Sequence, residues 1–249
     1  MLIGINKVSQ IYSSILVNSL YAMKNYPITL VSTLLAPLSI LIIITLVSNG
    51  TLFSVAIMGA LITSMVSAGT GLQADLSHLK NDFRVQDMVV SSPTSAFTYL
   101  VGMAISEIVY ALPALIVLSI LAILYIHTNL VGLITLLLIL GLIFAFSIAL
   151  GFLLSTLSSD IVQNWAFSGI MSTLLTTIPP IYYPITFIPL PFRYIAYLSP
   201  TTYAAEIAQS AIGYLPLSTA SLALDWTVLI VVSGILFVIA IKKNRWREI

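Results

Sequence analysis

Ionisable side chains are scarce in this sequence, and a few of them lie within or beside long apolar stretches. Glu107 lies about ten residues into one such stretch, whereas Arg193 and Glu206 lie in a region rich in Pro and Tyr. An acid at membrane depth costs a few kcal/mol unless it is paired or hydrated. Glu107 is therefore either a functional group or a hydrogen-bonded structural tie, and Arg193 is the only basic residue near enough in sequence to pair with Glu206. Asp160 and Asp225 are expected to be solvated helix ends.

Several kinds of catalytic site are excluded by the residues present. No glycine is followed by lysine, so the phosphate-binding loop of an ATPase is missing. Cysteine is absent, and the two histidines are isolated from each other and from any His-Glu-x-x-His pattern. We therefore predict no catalytic, cofactor-binding or metal site, and we expect that the chain is not itself an enzyme.

The elements that must position these side chains are membrane helices. Hydrophobic residues make up 59% of the 249 residues and charged residues only 7%, whereas soluble domains carry about 25% charged residues. A spanning helix needs about 20 apolar residues, and six such segments account for nearly the whole chain. The sequence predicts an all-α integral membrane protein with one domain over residues 1–249 and six transmembrane helices. These spans are predicted at about 28–47, 52–70, 97–126, 130–157, 161–178 and 222–241.

Orientation follows from the basic residues. In a six-span arrangement, eight of the nine Lys and Arg residues fall on one side, and only Arg193 falls on the other. Basic residues are retained on the cytoplasmic side, so both termini and residues 71–96 are expected in the cytoplasm. The net charge of +1 is carried by scattered residues and gives no indication of nucleic-acid binding.

Two polar segments on the cytoplasmic side are predicted to form amphipathic helices. In residues 1–26, Val8, Tyr12 and Ile15 recur at helical spacing, which predicts an interfacial helix. In residues 71–96, Leu72, Leu76, Leu79 and Phe83 form an apolar stripe, and a Ser-Pro step ends the pattern. The second helix either transmits force from a cytoplasmic partner or only anchors the loop, and the sequence favours neither.

Proline concentrates in one region, the Pro-rich segment (residues 179–220). Seven of the eleven prolines lie between Pro179 and Pro216, together with many aromatic residues. An unbroken span does not tolerate this density, and Tyr is typical of the membrane interface. The pattern predicts a re-entrant pair of short helices dipping into the outer leaflet, although a pore filter or a lid has the same pattern.

Small and hydroxylated residues form stripes on two predicted spans. Gly59, Thr63, Ser67 and Gly71 recur every four residues on the second span, and such stripes permit close helix approach. The fifth span carries a similar stripe of Ser168, Ser172 and Thr176. Plain helix packing explains both stripes; the functional alternative is that Thr63, Ser67, Ser168, Ser172 and Thr176 line a translocation path.

Two segments resemble the permeases of type-2 ABC exporters. Residues 179–206 are similar to the outer signature of that family, and residues 85–107 resemble its link from coupling helix into third span. The matching residues are Pro184, Pro189, Arg193, Pro200, Thr202, Tyr203, Ala204 and Glu206 in the first segment and Ser92, Pro93, Gly102 and Glu107 in the second. Two departures are Ser199, where the family has Asn, and the lack of an arginine after Glu206.

The resemblance implies a permease subunit of an exporter in the plasma membrane, driven by a separate ATPase subunit that binds ATP and Mg²⁺. It also implies a second permease, identical or related, and contact with membrane lipid. The residues implied to contact the ATPase are Leu79, Asp82, Phe83, Arg84 and Asp87. Ser, Thr and aromatic residues along the path weakly favour an amphipathic or apolar cargo. The main alternatives are an ion-coupled secondary transporter or channel and a non-transporting assembly factor.

Overall fold

A computed structural model describes residues 7–81, 96–157 and 161–242 of the protein. Within these ranges every regular element is helical. The α-helices are α1 (Lys7–Ile15), α2 (Tyr21–Asn25), α3 (Pro27–Val47), α4 (Phe53–Asn81), α5 (Ala96–Tyr125), α6 (Leu130–Leu157), α7 (Ile161–Ser172), α8 (Leu190–Ala196), α9 (Pro200–Ala211) and α10 (Thr219–Lys242). A π-helical turn, Leu16–Leu20, joins α1 to α2, another, Thr173–Thr177, extends α7, and a 3-10 turn, Ile185–Phe187, precedes α8.

Five of these helices are long and apolar enough to cross a membrane: α3, α4, α5, α6 and α10. The chain is therefore a multi-pass, all-helical membrane protein. α7 has 12 residues, and its π-helical turn adds 5 more. Together they are about 25 Å long at 1.5 Å per residue. That is shorter than the hydrocarbon core of about 30 Å, so the sixth span predicted over 161–178 stays a prediction.

The other predicted spans agree with the observed helices to within a few residues, except at the end of the second. That span was expected to stop at Thr70, but α4 continues unbroken to Asn81. Residues 71–81 contain no proline and include three Leu with one Ala, one Gln and one Lys, all good helix formers. The start of the segment predicted as a cytoplasmic loop is therefore a direct extension of the span.

The centre of the bundle is α4, which packs against α6, α5, α3 and α7. Most of its residues between Phe53 and Gln73 are buried. Its crossing with α6 is close enough to require glycine, because a Cβ on Gly151 would lie 2.6 Å from the carbonyl oxygen of Gly69. Small residues at such a crossing let two backbones touch, so the α4–α6 pair is held at a fixed separation.

The periphery of the bundle is apolar. Leu46 on α3, Ile123 on α5 and Val131 on α6 are each at least 70% exposed. Large apolar surfaces of this extent are unusual for a monomer in water, whereas lipid tails solvate them without cost.

A helix is present at the predicted N-terminal position, and Ser14 and Asn18 face the protein. The amide of Asn18 on the π-helical turn lies 3.1 Å from the sulfur of Met103 on α5, and Ser14 lies against Gly102. Val8 and Tyr12 are exposed. Val8 and Tyr12 of the apolar stripe therefore point away from the bundle, as contact with a membrane interface requires, whereas Ile15 is half-buried.

Candidate functional site

The Pro-rich segment contains the predicted pair of short helices, α8 and α9, and hydroxyl groups fix where α9 begins. Thr201 donates a hydrogen bond to the carbonyl of Leu175 at 2.7 Å, and Thr202 donates to the carbonyl of Ala196. Ser199, the residue that departs from the family pattern, shares a 2.7 Å hydrogen bond with Thr201. A hydroxyl thus supplies a polar contact at this position. That the helix pair dips into the outer leaflet stays a prediction.

Arg193 and Glu206 do not form the predicted pair. Arg193 donates through Nε to the carbonyl of Ile188 at 2.7 Å and through Nη2 to that of Thr186 at 2.9 Å. Glu206 instead accepts a 3.2 Å hydrogen bond from the hydroxyl of Tyr197. The prediction of an ion pair was wrong because the guanidinium satisfies carbonyls just before its own helix, whereas Glu206 is buried where α9 packs against its neighbours.

A second acid, Asp225, lies near Glu206. It belongs to the first turns of α10, which packs against α9, and it is buried at 3% exposure rather than solvated as predicted. Burial and the charge of Asp225 raise the pKa of Glu206 to about 7. Burial, followed by the charge of Glu206, raises the pKa of Tyr197 to about 12, so this phenol remains a donor. The sequence does not indicate that these two acids are neighbours, because they are 19 positions apart on different helices.

The first residues of the Pro-rich segment are fastened to α4. The hydroxyl of Tyr182 donates a buried 2.8 Å hydrogen bond to Thr63. One turn earlier, a Cβ on Gly59 would lie 2.6 Å from the carbonyl oxygen of Ile181. The small residues of this stripe therefore seat the Pro-rich segment against the central helix.

Gln209 of α9 is a further residue that ties this region together. Its amide nitrogen lies 3.3 Å from the carbonyl of Tyr183 and 3.5 Å from that of Pro180. These carbonyls belong to broken backbone that has no helical partner, and buried carbonyls require a donor. The available sequence signal was one glutamine in an Ala-rich stretch, and the structure shows that its side chain is fully buried.

The residues predicted to line a path differ in exposure. Thr63 and Thr176 are buried, Ser168 and Ser172 are half-buried, and Ser67 is the one exposed residue between Val55 and Thr70 of α4. α4 and α7 pack against each other, so the two stripes lie on neighbouring helices. Whether they line a path stays a prediction.

Glu107 lies at the interface of α5 with α4. It is 7% exposed, and a Cβ on Gly71 would lie 3.3 Å from its Oε2. The absence of a side chain at position 71 therefore leaves room for this carboxyl group between the two helices.

Most of the predicted ATPase contacts, Asp82, Phe83, Arg84 and Asp87, lie outside the described residues. Leu79 lies on the last turns of α4, where only its backbone is described. Its position extends the central helix toward the undescribed segment 82–95.

An open cavity of about 690 Å³ lies between the end of α3 and α8. Its walls are almost entirely apolar and include Val47, Ile188, Phe192 and Ala196. One of its polar residues, Ser48, bonds to the backbone at Thr45 and Leu52. The cavity is therefore suited to a hydrocarbon group.

Comparison with known proteins identifies the family of this chain. The family model described as ABC-2 type transporter matches residues 10–212, which include α4, the Pro-rich helices α8 and α9, and the predicted path residues. A search of curated proteins found no match to the chain. Since the family model covers most of the sequence, this chain belongs to the ABC-2 type transporter family of membrane permeases.

Proposed function

We propose that this permease exports an amphipathic or apolar compound across the plasma membrane and is driven by a separate ATP-binding cassette subunit. The observation that carries the proposal is the continuity of α4, which runs without a break from the centre of the bundle to Asn81. Within the bundle, α4 holds the Pro-rich segment through the Thr63–Tyr182 hydrogen bond. Beyond Asn81 the chain leads to residues 85–107, which resemble the family's link from coupling helix into third span.

In this proposal the coupling helix fits a cleft on the ATPase, with Phe83 as its anchor, and the ATPase holds ATP and Mg²⁺. Buried aromatic side chains supply much of the binding energy at such contacts. Leu79, Asp82, Arg84 and Asp87 surround that anchor in the sequence.

The partner in the membrane is a second permease, identical or related, packed against α7. This helix contacts α4 on one side and exposes large apolar residues elsewhere, among them Val162, Phe167 and Ile170. A path between the two copies would be lined by Ser168 and Ser172, which are half-buried in a single chain.

Co-purification tests the proposal. A tagged chain is expected to bring an ATPase with it from membranes, and Phe83→Asp is expected to reduce both the amount recovered and the ATPase turnover of the complex at least tenfold. Ser92→Asp is the matched control, because it adds the same charge to the same segment away from the anchor. Unchanged recovery and turnover with Phe83→Asp would contradict the assigned contact.

One observation supports a second candidate, an ion-coupled transporter. Asp225 and Glu206 are both buried, so acids inside the protein are more numerous than the sequence indicated, and proton-coupled carriers use such groups. Purified chain in vesicles distinguishes the two candidates. Uptake driven by a pH gradient without an ATPase would favour the second, and uptake that needs the ATPase and ATP favours the first.

A further inference from the structure

The positively charged side chain of Arg193 lies beside the wall of the cavity between α3 and α8. Ile188 lines the cavity, and its carbonyl accepts a 2.7 Å hydrogen bond from Nε of Arg193. A guanidinium carries five N–H donors, and the contacts to Ile188 and Thr186 engage Nε and Nη2. Within the described part of the chain, Nη1 has no partner, so donors remain for an anion.

The cavity itself has the size and lining of a site for a hydrocarbon chain. Its volume of about 690 Å³ lies within the range of roughly 300–1,000 Å³ found for small-molecule sites. Next to it, Val47, Phe187 and Phe192 are 78%, 63% and 59% exposed. Apolar residues exposed to this degree at the end of a candidate span are solvated by lipid tails, which can enter the cavity sideways.

The positive charge of Arg193 favours an anionic amphiphile over a neutral one. Glu206 accepts a hydrogen bond from Tyr197, and within the described ranges the partners of Arg193 are main-chain carbonyls rather than a carboxylate. An apolar protein surface packed over the cavity would leave the guanidinium desolvated and unpaired, which is costly. A phosphate diester supplies a negative charge and several acceptors in the geometry that arginine favours.

We propose that this cavity binds an anionic phospholipid of the outer leaflet, with an acyl chain between α3 and α8 and the phosphate at Arg193. The proposal uses the predicted orientation, which puts the end of α3 and the Pro-rich segment at the outer surface. It does not depend on the ATPase or on the identity of the exported compound.

Photocrosslinking of the purified chain tests the site. The probe is phosphatidylglycerol with a diazirine at the end of one acyl chain, compared with the same phosphatidylcholine analogue, in nanodiscs without nucleotide. Adducts of phosphatidylglycerol are expected at Val47 or Phe192, at several times the yield of phosphatidylcholine. Arg193→Gln is expected to reduce the phosphatidylglycerol yield about fivefold, as for loss of one basic contact to an anionic lipid. Lys24→Gln, which removes an exposed charge elsewhere, should leave it unchanged.

A second variant keeps the test decisive if Arg193→Gln disturbs the Pro-rich segment. Ile44→Trp reduces the free volume of the cavity from the α3 side and leaves Arg193 intact, so adduct formation should fall for both lipids. Equal yields of the two lipids in the unmodified chain would overturn the proposal. So would full labelling of Ile44→Trp, or crosslinks between two copies of the chain at Val47 or Phe192.

Discussion

At the scale of single residues, Glu206 is a buried acid on α9, and it lies near Asp225 of α10. Burial and the neighbouring charge of Asp225 raise its pKa from 4.5 to about 7 in the folded chain. Between these two values the folded state binds more protons than the unfolded state, so stability decreases as pH rises. The stabilisation is complete below about pH 4.5 and is lost as pH rises through about 7.

We therefore predict that the thermal stability of the purified chain decreases as the pH is raised from 5 to 8. The free-energy change is on the order of 1 kcal/mol, since one pKa unit corresponds to about 1.4 kcal/mol and part of the effect is screened. Glu206→Gln should flatten the dependence, and Asp225→Asn should move the decrease to lower pH. Melting curves followed by intrinsic fluorescence measure this, and an unchanged slope in Glu206→Gln would contradict the assignment.

Arg193 and Glu206 stand out in the sequence, but they do not pair with each other. They lie 13 positions apart, and this proximity along the chain suggested a pair. Glu206 instead lies near Asp225, which depends on the face of α9 that meets α10, and that rotation is set by packing and cannot be obtained from the spacing of charges. Arg193 bonds to carbonyls five and seven positions earlier in the chain, and a pattern of charges does not indicate a main-chain partner.

At the scale of elements, the crossing of α4 with α6 depends on the absence of side chains. A Cβ on Gly69 would meet Ser147 and would lie 2.8 Å from the backbone nitrogen of Ile148. Backbone cannot move aside as the end of a flexible side chain can, so the helices would have to separate.

Gly69→Ala is therefore expected to destabilise the bundle by about 1–3 kcal/mol, as overpacking does. Gly141→Ala on α6 is the matched control, because a Cβ there has nothing within 4 Å. That control should be neutral or stabilising by up to about 1 kcal/mol. Melting temperatures of the two variants in the same detergent check the prediction, and equal shifts would contradict it.

The helices themselves were largely predictable. Apolar runs bounded by polar turns located α3, α5, α6 and α10 closely, because length and hydrophobicity alone decide what crosses a bilayer. The end of α4 was placed too early, since a change to polar residues at Gly71 marks the edge of the membrane and not the end of a helix. Where a helix stops is set by breakers and caps, and no proline occurs between Phe53 and Asn81.

At the scale of the whole molecule, the distribution of basic residues predicts which ends face the cytoplasm. The chain lacks cysteine, so single cysteines report their side of the membrane cleanly. Thr51→Cys and Ser218→Cys, both at exposed positions, should react with an impermeant maleimide in intact cells. Lys24→Cys and Lys242→Cys should react only after the membrane is opened. Labelling of position 24 from outside would contradict the orientation.

The length of α4 has a mechanical consequence. Its 29 residues form a rod about 44 Å long at 1.5 Å per residue, which exceeds the hydrocarbon thickness of about 30 Å. No proline interrupts it, so it has no hinge of that kind. A small tilt imposed at Asn81 is therefore expected to reach Gly59 and Thr63 inside the bundle and, through them, Ile181 and Tyr182. A rod without a proline hinge carries a tilt at one end along its length to the groups that it contacts.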